Sequence, residues 1–220
     1  MRLCSEYADR VYQVRITSLE QARNSKGLLL VFTDITEIKR LQEKLEQQAY
    51  YDELTKIYNR RAFLQQSEQD FQEAKDTGLP FTVLLMDIDH FKRVNDTYGH
   101  HIGDQLLVHV VNACQTQLLE GRHFFARYGG EEFVIALKGF DEAEGEILAN
   151  QLRTAIEQAP LMTEAGSLSA TLSIGVAEVV DWTEETLYQL LHKADTALYA
   201  AKEEGRNRVK VYAASEGILS

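Results

Sequence analysis

Phe124-Phe125-Ala126-Arg127-Tyr128-Gly129-Gly130-Glu131-Glu132-Phe133-Val134-Ile135-Ala136-Leu137 reads as two β-type runs joined near a glycine pair. Glycine takes the positive φ of a tight turn at no steric cost, so the stretch predicts a hairpin. Glu131 and Glu132 stand side by side where the glycines remove side-chain bulk, and a ligand there can approach the main chain closely. Neighbouring side chains of a pleated strand point to opposite faces, so the two carboxylates do not share one role. Alone, such a tip is a solvated acidic turn. A second acidic strand end changes that reading.

That second end follows Phe81-Thr82-Val83-Leu84-Leu85-Met86, which is near-continuously apolar and so predicts a central strand covered on both faces. The run stops at Asp87-Ile88-Asp89. Asp87 is placed at a strand's C-terminal end, where α/β-type folds bind ligands, with the Ile88 carbonyl beside it. If this strand neighbours the hairpin, Asp87 and Glu131 converge, and two facing buried carboxylates need cations. Oxygen-only ligands suit Mg²⁺ or Mn²⁺ rather than Zn²⁺. A pair of such ions stabilises the attacking and leaving oxygens of phosphoryl transfer. A single Asp at a strand end is more often a turn former. Convergence with another carboxylate favours the metal.

Complementary charge lies nearby in the sequence. Main-chain N–H groups of a helical turn at Asp89-His90-Phe91-Lys92-Arg93 suit phosphate oxygens, and Lys92 adds a point charge. Lys202, Arg206 and Arg208 cluster around Gly205. Such a cluster is ordinarily solvated or serves a helix end. It becomes a phosphate clamp if the last helix docks beside the hairpin. Asn95 and Asp104 offer an amide and a carboxylate that match the hydrogen-bonding edge of guanine, since adenine lacks the N1–H and amine donor pair.

Read in order, Tyr12, Val14 and Ile16 alternate as in a half-buried strand, residues 21–27 suggest a turn, and 28–33 a second strand. Two strands alone are marginally stable, so this piece needs a partner outside the sequence or a second copy. Asp34 with Glu37 reads as a capping-box helix start. Ile38, Leu41 and Leu45 then form a narrow seam suited to another helix. A helix is predicted from about Asn59 to Thr77, burying Ala62, Phe63, Phe71 and Ala74 and stopped by Gly78. Residues 90–99 read as irregular. A helix over 102–119 follows from Ile102, Leu106, Val110, Cys114 and Leu118. Another covers 141–159, with Ile147, Leu148, Leu152 and Ile156 inward. A strand over 170–178, a helix over 184–204 and a strand over 209–212 close the chain. From residue 81 this order predicts an α+β, ferredoxin-like sheet with helices on one face.

With 220 residues, 45% of them hydrophobic and 26% charged, the chain has room for one domain and a smaller module. Its net charge of -11 excludes a general nucleic-acid-polymer binder but not a mononucleotide bound through metal ions. Cys4 and Cys114 have no metal-type spacing and suggest reduced thiols, hence a cytoplasmic location. The longest wholly apolar run, Leu28 to Phe32, is far too short to span a bilayer. No signal peptide is visible at Met1. The abrupt start leaves room for a longer parent protein, through which alone a membrane link would come.

Asp34-Ile35-Thr36-Glu37 resembles the end of a PAS sensor domain, where the last strand feeds a signalling helix. Most of a PAS domain is absent, so no ligand pocket is expected. Asp87-x-Asp89-x-Phe91-Lys92-x-x-Asn95-Asp96-x-x-Gly99-His100-x-x-Gly103-Asp104 followed by Arg127-Tyr128-Gly129-Gly130-Glu131-Glu132-Phe133 resembles the GGDEF domain of bacterial diguanylate cyclases. Asp52-Glu53-Leu54-Thr55-x-x-x-Asn59-Arg60-Arg61 and Ala197-Leu198-Tyr199-x-Ala201-Lys202-x-x-Gly205-Arg206-Asn207 fit as well. These separated motifs in order make the resemblance highly specific. It implies a partial PAS-like β segment at 1–34, a signalling helix at 35–48, a GGDEF domain at 49–213 and a tail at 214–220. The implied fold is a nucleotidyl-cyclase palm, a central mixed sheet with helices packed around it.

The implied activity is condensation of two GTP into cyclic di-GMP and pyrophosphate by a homodimer, with Mg²⁺ (or Mn²⁺), two ions per active site. By the resemblance, Asp87, the Ile88 carbonyl and Glu131 hold metal, and Glu131 assists deprotonation of the ribose 3′-hydroxyl. Lys92, Lys202 and Arg206 serve the phosphates. Asn95, His100 and Asp104 bind guanosine, while Phe91, Gly129 and Gly130 line the substrate and Glu132 completes the catalytic acids. One departure stands out. Relatives often carry an inhibitory Arg-x-x-Asp product site before the hairpin, and the aligned positions here are Glu120 and His123, so weak feedback is expected. The alternatives are a catalytically inactive GGDEF receptor for GTP or cyclic di-GMP, and a cyclase of altered base choice. Both disagree with the retained Asp87, Glu131, Glu132 and Asp104.

Overall fold

All eight residues of Phe81–Ile88 are buried, and the rest of the larger unit is laid on this strand. The computed structural model describes residues 10–21, 25–118, 123–164 and 166–213. Cys4, Glu120 and the tail at 214–220 lie outside the described residues. The chain divides into two units between Ala49 and Tyr50.

In the first unit, β1 (Tyr12–Gln21) and β2 (Ser25–Asp34) pair antiparallel from Tyr12↔Asp34 to Gln21↔Ser25. The strands therefore consume most of the turn expected at 21–27. Val14 (41%), Ile16 (64%), Leu30 (51%) and Phe32 (56%) are exposed, so the expected half-buried face is not buried within this unit. A lone two-stranded ribbon has nothing to bury against. Helix α1 (Thr36–Tyr50) runs slightly past the expected end. Asp34 Oδ1 accepts from the Thr36 N–H at 3.0 Å and the Thr36 hydroxyl at 2.6 Å, in place of the expected box with Glu37. Ile38, Leu41 and Leu45 are exposed along α1.

The second unit begins with β3 (Tyr58–Asn59) and α2 (Arg60–Thr77). Asn59 caps α2 by accepting the Ala62 N–H at 2.9 Å. Then come β4 (Phe81–Ile88), α3 (Phe91–Tyr98), α4 (His100–Gln115), β5 (Phe124–Gly129), β6 (Glu132–Lys138) and α5 (Glu142–Gln158). A small hairpin, β7 (Leu161–Thr163) and β8 (Gly166–Leu168), precedes β9 (Leu172–Glu178), α6 (Leu187–Glu203) and β10 (Val209–Val211). The main sheet runs β10-β9-β4-β6-β5-β3. β4 is antiparallel to both neighbours, while the outer pairs β10–β9 and β3–β5 are parallel. The fold is α+β, a central mixed sheet with helices around it.

Alternation along β4 explains the layers. Leu84, Met86 and Ile88 share a core with Leu106 and Val110 of α4 and Leu152 and Ile156 of α5. Phe81, Val83 and Leu85 share a second core with Phe63 and Phe71 of α2 and Leu190 and Leu198 of α6. The helices thus cover both faces, correcting the one-face expectation. A strand apolar on both sides demands it, each large buried side chain contributing about 1.5–3 kcal/mol.

Other expectations shift too. Residues 91–98, expected to be irregular, form a two-turn helix that buries Phe91, too short to show an apolar period. α4 ends at Gln115, short of the expected 119. Ile147 is 60% exposed, not inward; α5 instead buries Gly145, Ala149, Leu152 and Ile156. The β7–β8 hairpin was not foreseen, and β9 and α6 start two or three residues later than expected. Cys114 is buried, and burial pushes its thiol up to about 12, so it is inert packing.

Candidate active site

The register of β4 against β6 assembles the acids. Asp87 lies opposite Glu132, and the Ile88 N–H donates to the Glu131 carbonyl at 3.3 Å. Glu131 occupies the turn itself, following Gly130 at φ 52, a conformation glycine takes freely. A register shift between Arg127 and Gly129 bends the hairpin at the same place.

Asp87 is only 8% exposed. Burial pushes its carboxyl up to about 6; the Lys202 ammonium holds it down, and Glu131 and Glu132 push it further up. Lys202 Nζ stands 2.7 Å from Asp87 Oδ2. That contact depends on Gly175 in β9. A Cβ there would overlap the Ala194 carbonyl and the Leu198 nitrogen, so α6 rests directly on the strand backbone. The last helix therefore docks beside the hairpin acids, as a phosphate clamp requires. Arg206 follows on the loop after α6. Arg208 is directed elsewhere: its Nη1 meets Glu204 at 3.2 Å and its Nε donates to the Arg206 carbonyl at 3.1 Å.

Two residues without an assigned role hold the tip. Arg127 Nε and Nη2 donate to the Gly130 carbonyl at 2.9 and 2.7 Å, and Nη1 donates to both Asp52 oxygens at 3.1 and 3.2 Å. Burial opposes ionisation of Asp52, yet the Thr55 N–H and hydroxyl and the Arg127 guanidinium together hold its carboxyl below the usual range. Both residues sit inside quoted motifs, which was the available signal; their pairing across 75 positions was not legible. The Arg60 guanidinium lies 4.5 Å from the centre of the Tyr128 ring, so Tyr128 packs rather than reacts.

The remaining residues lie on α3 and α4. Phe91 is buried in the first turn of α3, while Lys92, His100 and Asp104 are exposed. Asn95 folds back onto Gly103, where no Cβ could fit beside its amide oxygen, and that oxygen is buried without a hydrogen-bond partner. Asp104 borders a cleft of about 520 Å³ with Leu54, Gln105, Leu161 and Met162. Gly129 and Gly130 are exposed at the tip. The structure thus brings Lys202 onto Asp87, pairs the end of β4 with the Glu131–Glu132 tip through the main chain, and sets the α3–α4 residues on the adjoining elements. Asp89, inside the same motif as Asp87, has no expected role at the site, yet it is buried.

A divalent cation fits this donor set. Asp87, Glu131 and the Ile88 carbonyl offer oxygens only, and Asp87 already draws a cation, the Lys202 ammonium. Among the described residues no three His, Cys, Asp or Glu side chains converge. An ion here would take its other ligands from water and nucleotide, as Mg²⁺ commonly does.

Comparison with known proteins agrees with this arrangement. Residues 49–208 match the family described as "Diguanylate cyclase, GGDEF domain". Diguanylate cyclase DosC of Escherichia coli K12 is 36% identical over 205 residues, covering 92% of this chain and 43% of the relative. The uncharacterized protein YhcK of Bacillus subtilis is 41% identical over 164 residues, covering 74% of this chain and 45% of the relative. The chain therefore spans less than half the length of these relatives. Among solved structures, the coiled coil and GGDEF domain of DgcB from Caulobacter crescentus, in complex with c-di-GMP, superposes with a TM-score of 0.72 at 32% identity. It covers 80% of this chain and 93% of that one. The active GGEEF domain of a diguanylate cyclase from Vibrio cholerae gives a TM-score of 0.67 at 32% identity over 71% of this chain and 98% of that one. With the acidic hairpin, the strand-end Asp87 and the fold in agreement, the chain belongs to the GGDEF diguanylate cyclase family.

Proposed function

We propose that this chain catalyses condensation of two GTP into cyclic di-GMP and two pyrophosphates. The observation that carries the reading is the buried Asp87 carboxylate meeting Lys202 at 2.7 Å beside the Glu131–Glu132 tip. A residue pair of opposite charge, next to more acid and at a strand end, suits a triphosphate with its counter-ions. In each of the two bond-forming steps, the 3′-oxygen of one nucleotide attacks the α-phosphorus of the other. The bond to pyrophosphate breaks, and the hydroxyl proton passes to Glu131, with Glu132 adding to the local negative field. Asp87, the Ile88 carbonyl and Glu131 would hold Mg²⁺ (or Mn²⁺), two ions per site, which when bound neutralise triphosphate charge and favour displacement at phosphorus.

The chain's own cations do the rest. Lys202 exchanges Asp87 for phosphate oxygens when nucleotide enters, while Lys92 and Arg206 close on the same charge. Phe91, Gly129 and Gly130 give the nucleotide a close approach, and Asn95, His100 and Asp104 select guanosine. One GTP per subunit requires two sites face to face. The exposed Ile38-Leu41-Leu45 stripe of α1 supports a homodimer formed through that helix. The β1–β2 segment is read as the end of a PAS-like sensor, and the setting as cytoplasmic. Weak product feedback is proposed from Glu120 and His123.

Purified protein incubated with GTP and Mg²⁺ should yield cyclic di-GMP and pyrophosphate on a chromatogram. Protein that binds GTP but forms no cyclic dinucleotide, even when concentrated, would instead be a receptor.

A further inference from the structure

Asp89 is a buried carboxylate, 6% exposed, with no part in the chemistry above. Its Oδ1 accepts the Ser173 hydroxyl at 2.6 Å. Its Oδ2 accepts the Thr171 hydroxyl at 2.7 Å and the Asn207 N–H at 3.0 Å. Its own N–H donates to the Thr171 carbonyl at 3.0 Å. One side chain thus joins the end of β4, the start of β9 and the loop after α6. A buried charge is tolerated only when satisfied in this way, and hydrogen bonds to a carboxylate are among the stronger ones.

The loop it reaches has an unfavourable course. Gly205, Arg206 and Asn207 take φ of 115, 63 and 45, so two successive non-glycine residues are left-handed. Such a backbone persists only where its surroundings over-determine it. Asn207 is gripped from the other side by α5: its Nδ2 donates to Glu157 Oε1 at 2.7 Å, and Arg153 Nη1 donates to its Oδ1 at 2.9 Å. The Arg206 N–H closes onto the Ala201 carbonyl at 3.0 Å. This loop leaves directly from the last turn of α6, where Lys202 meets Asp87.

We propose that Asp89 is a positioning residue that fixes the loop carrying Arg206 and, through it, the last turn of α6 that presents Lys202 to the triphosphate. The inference rests on the cyclase reading. The strand end then has a division of labour: Asp87 faces the cations, and two residues on Asp89 anchors the segment that delivers them.

Titration calorimetry with GMP and with a non-hydrolysable α,β-methylene GTP analogue, using the whole chain and Mg²⁺, tests it. Asp89→Asn should bind the triphosphate on the order of tenfold more weakly with GMP affinity unchanged. Glu157→Ala, on a 43% exposed side chain, should shift the same ratio less, and it carries the test if Asp89→Asn fails to fold. Ser173→Ala leaves the Asn207 link intact and should lower thermal stability without moving the ratio. Equal loss for both nucleotides, no loss, or a ratio change in Ser173→Ala as large as in Asp89→Asn would overturn the proposal. Parent protein that fails to bind the analogue would instead overturn the cyclase reading beneath it.

Discussion

Replacing Asp87 with Asn should stabilise the metal-free protein while abolishing cyclase activity. Burial lifts the Asp87 carboxyl from its ordinary 3.8 to about 6, even with Lys202 at 2.7 Å. At roughly 1.4 kcal/mol per unit, holding that charge in the folded state costs about 3 kcal/mol. A raised folded-state value means that the fold binds this proton more tightly than the unfolded chain does. Stability from this group is therefore fully present below pH 3.8 and is lost as pH rises through about 6. At about pH 8 the parent bears the whole penalty and Asp87→Asn escapes it, less the imperfect fit of an amide beside Lys202. A net gain of about 2 kcal/mol is expected, or roughly 4–8 °C in Tm for a unit of this size. At about pH 5 Asp87 is mostly protonated in the fold, the penalty falls by roughly half, and the net advantage should shrink to roughly 0.6 kcal/mol. Chemical denaturation of both proteins in chelator at the two pH values measures this. A variant no more stable than the parent at about pH 8, or an advantage that does not shrink on acidification, would refute the reasoning. Mg²⁺ should reverse the ranking, because it stabilises only a fold that binds it.

Arg127→Ala removes the donors of the Gly130 carbonyl and takes the charge partner from Asp52, leaving it only its Thr55 bonds, so it should destabilise by about 1–3 kcal/mol and slow product formation; denaturation and initial rates check both. Gly175→Val drives a side chain into the α6 backbone at Ala194 and Leu198, and a loss of about 3 kcal/mol or more should appear as low soluble yield and a lowered denaturation midpoint. Gly103→Ala keeps a good helix former in α4 but evicts the Asn95 amide, so selectivity for GTP over ATP should fall on the order of tenfold in a competition assay with little change in Tm. If the proposed homodimer forms through α1, Leu41→Asp with Leu45→Asp should yield a monomer in sedimentation and make specific activity collapse on dilution.

The long periodic elements were the most legible. The α6 stripe Leu187, Leu190, Leu191, Ala194, Leu198 and Ala201 is buried as read, and the Asn59 and Gly78 ends of α2 sit where capping chemistry puts them. Short or strained pieces were not legible. Residues 91–98 turn only twice and bury one large apolar residue, so no period announces the helix. Ile147 is apolar yet 60% exposed, since the close approach of α5 to the sheet is made at Gly145 instead. Among the site residues, Asp87 and Glu131 announced themselves as unusual charges at predicted strand ends. Arg127, Asp52 and Asp89 sit inside the motifs, but nothing in the sequence shows what each one holds. Their partners lie 75 and up to 118 positions away, and nothing local encodes such a pairing.

The order of apolar runs, the glycine pair and the acids beside it were sufficient to set the long strands and which chemistry they could carry, because those properties are local to a few neighbouring side chains. Which strands become neighbours, and so whether a lysine from the last helix meets an aspartate from the central strand, came only with folding. That outcome depends on the register of β4 with β6 and on α6 seating against Gly175, and both are settled by burying two apolar faces at once.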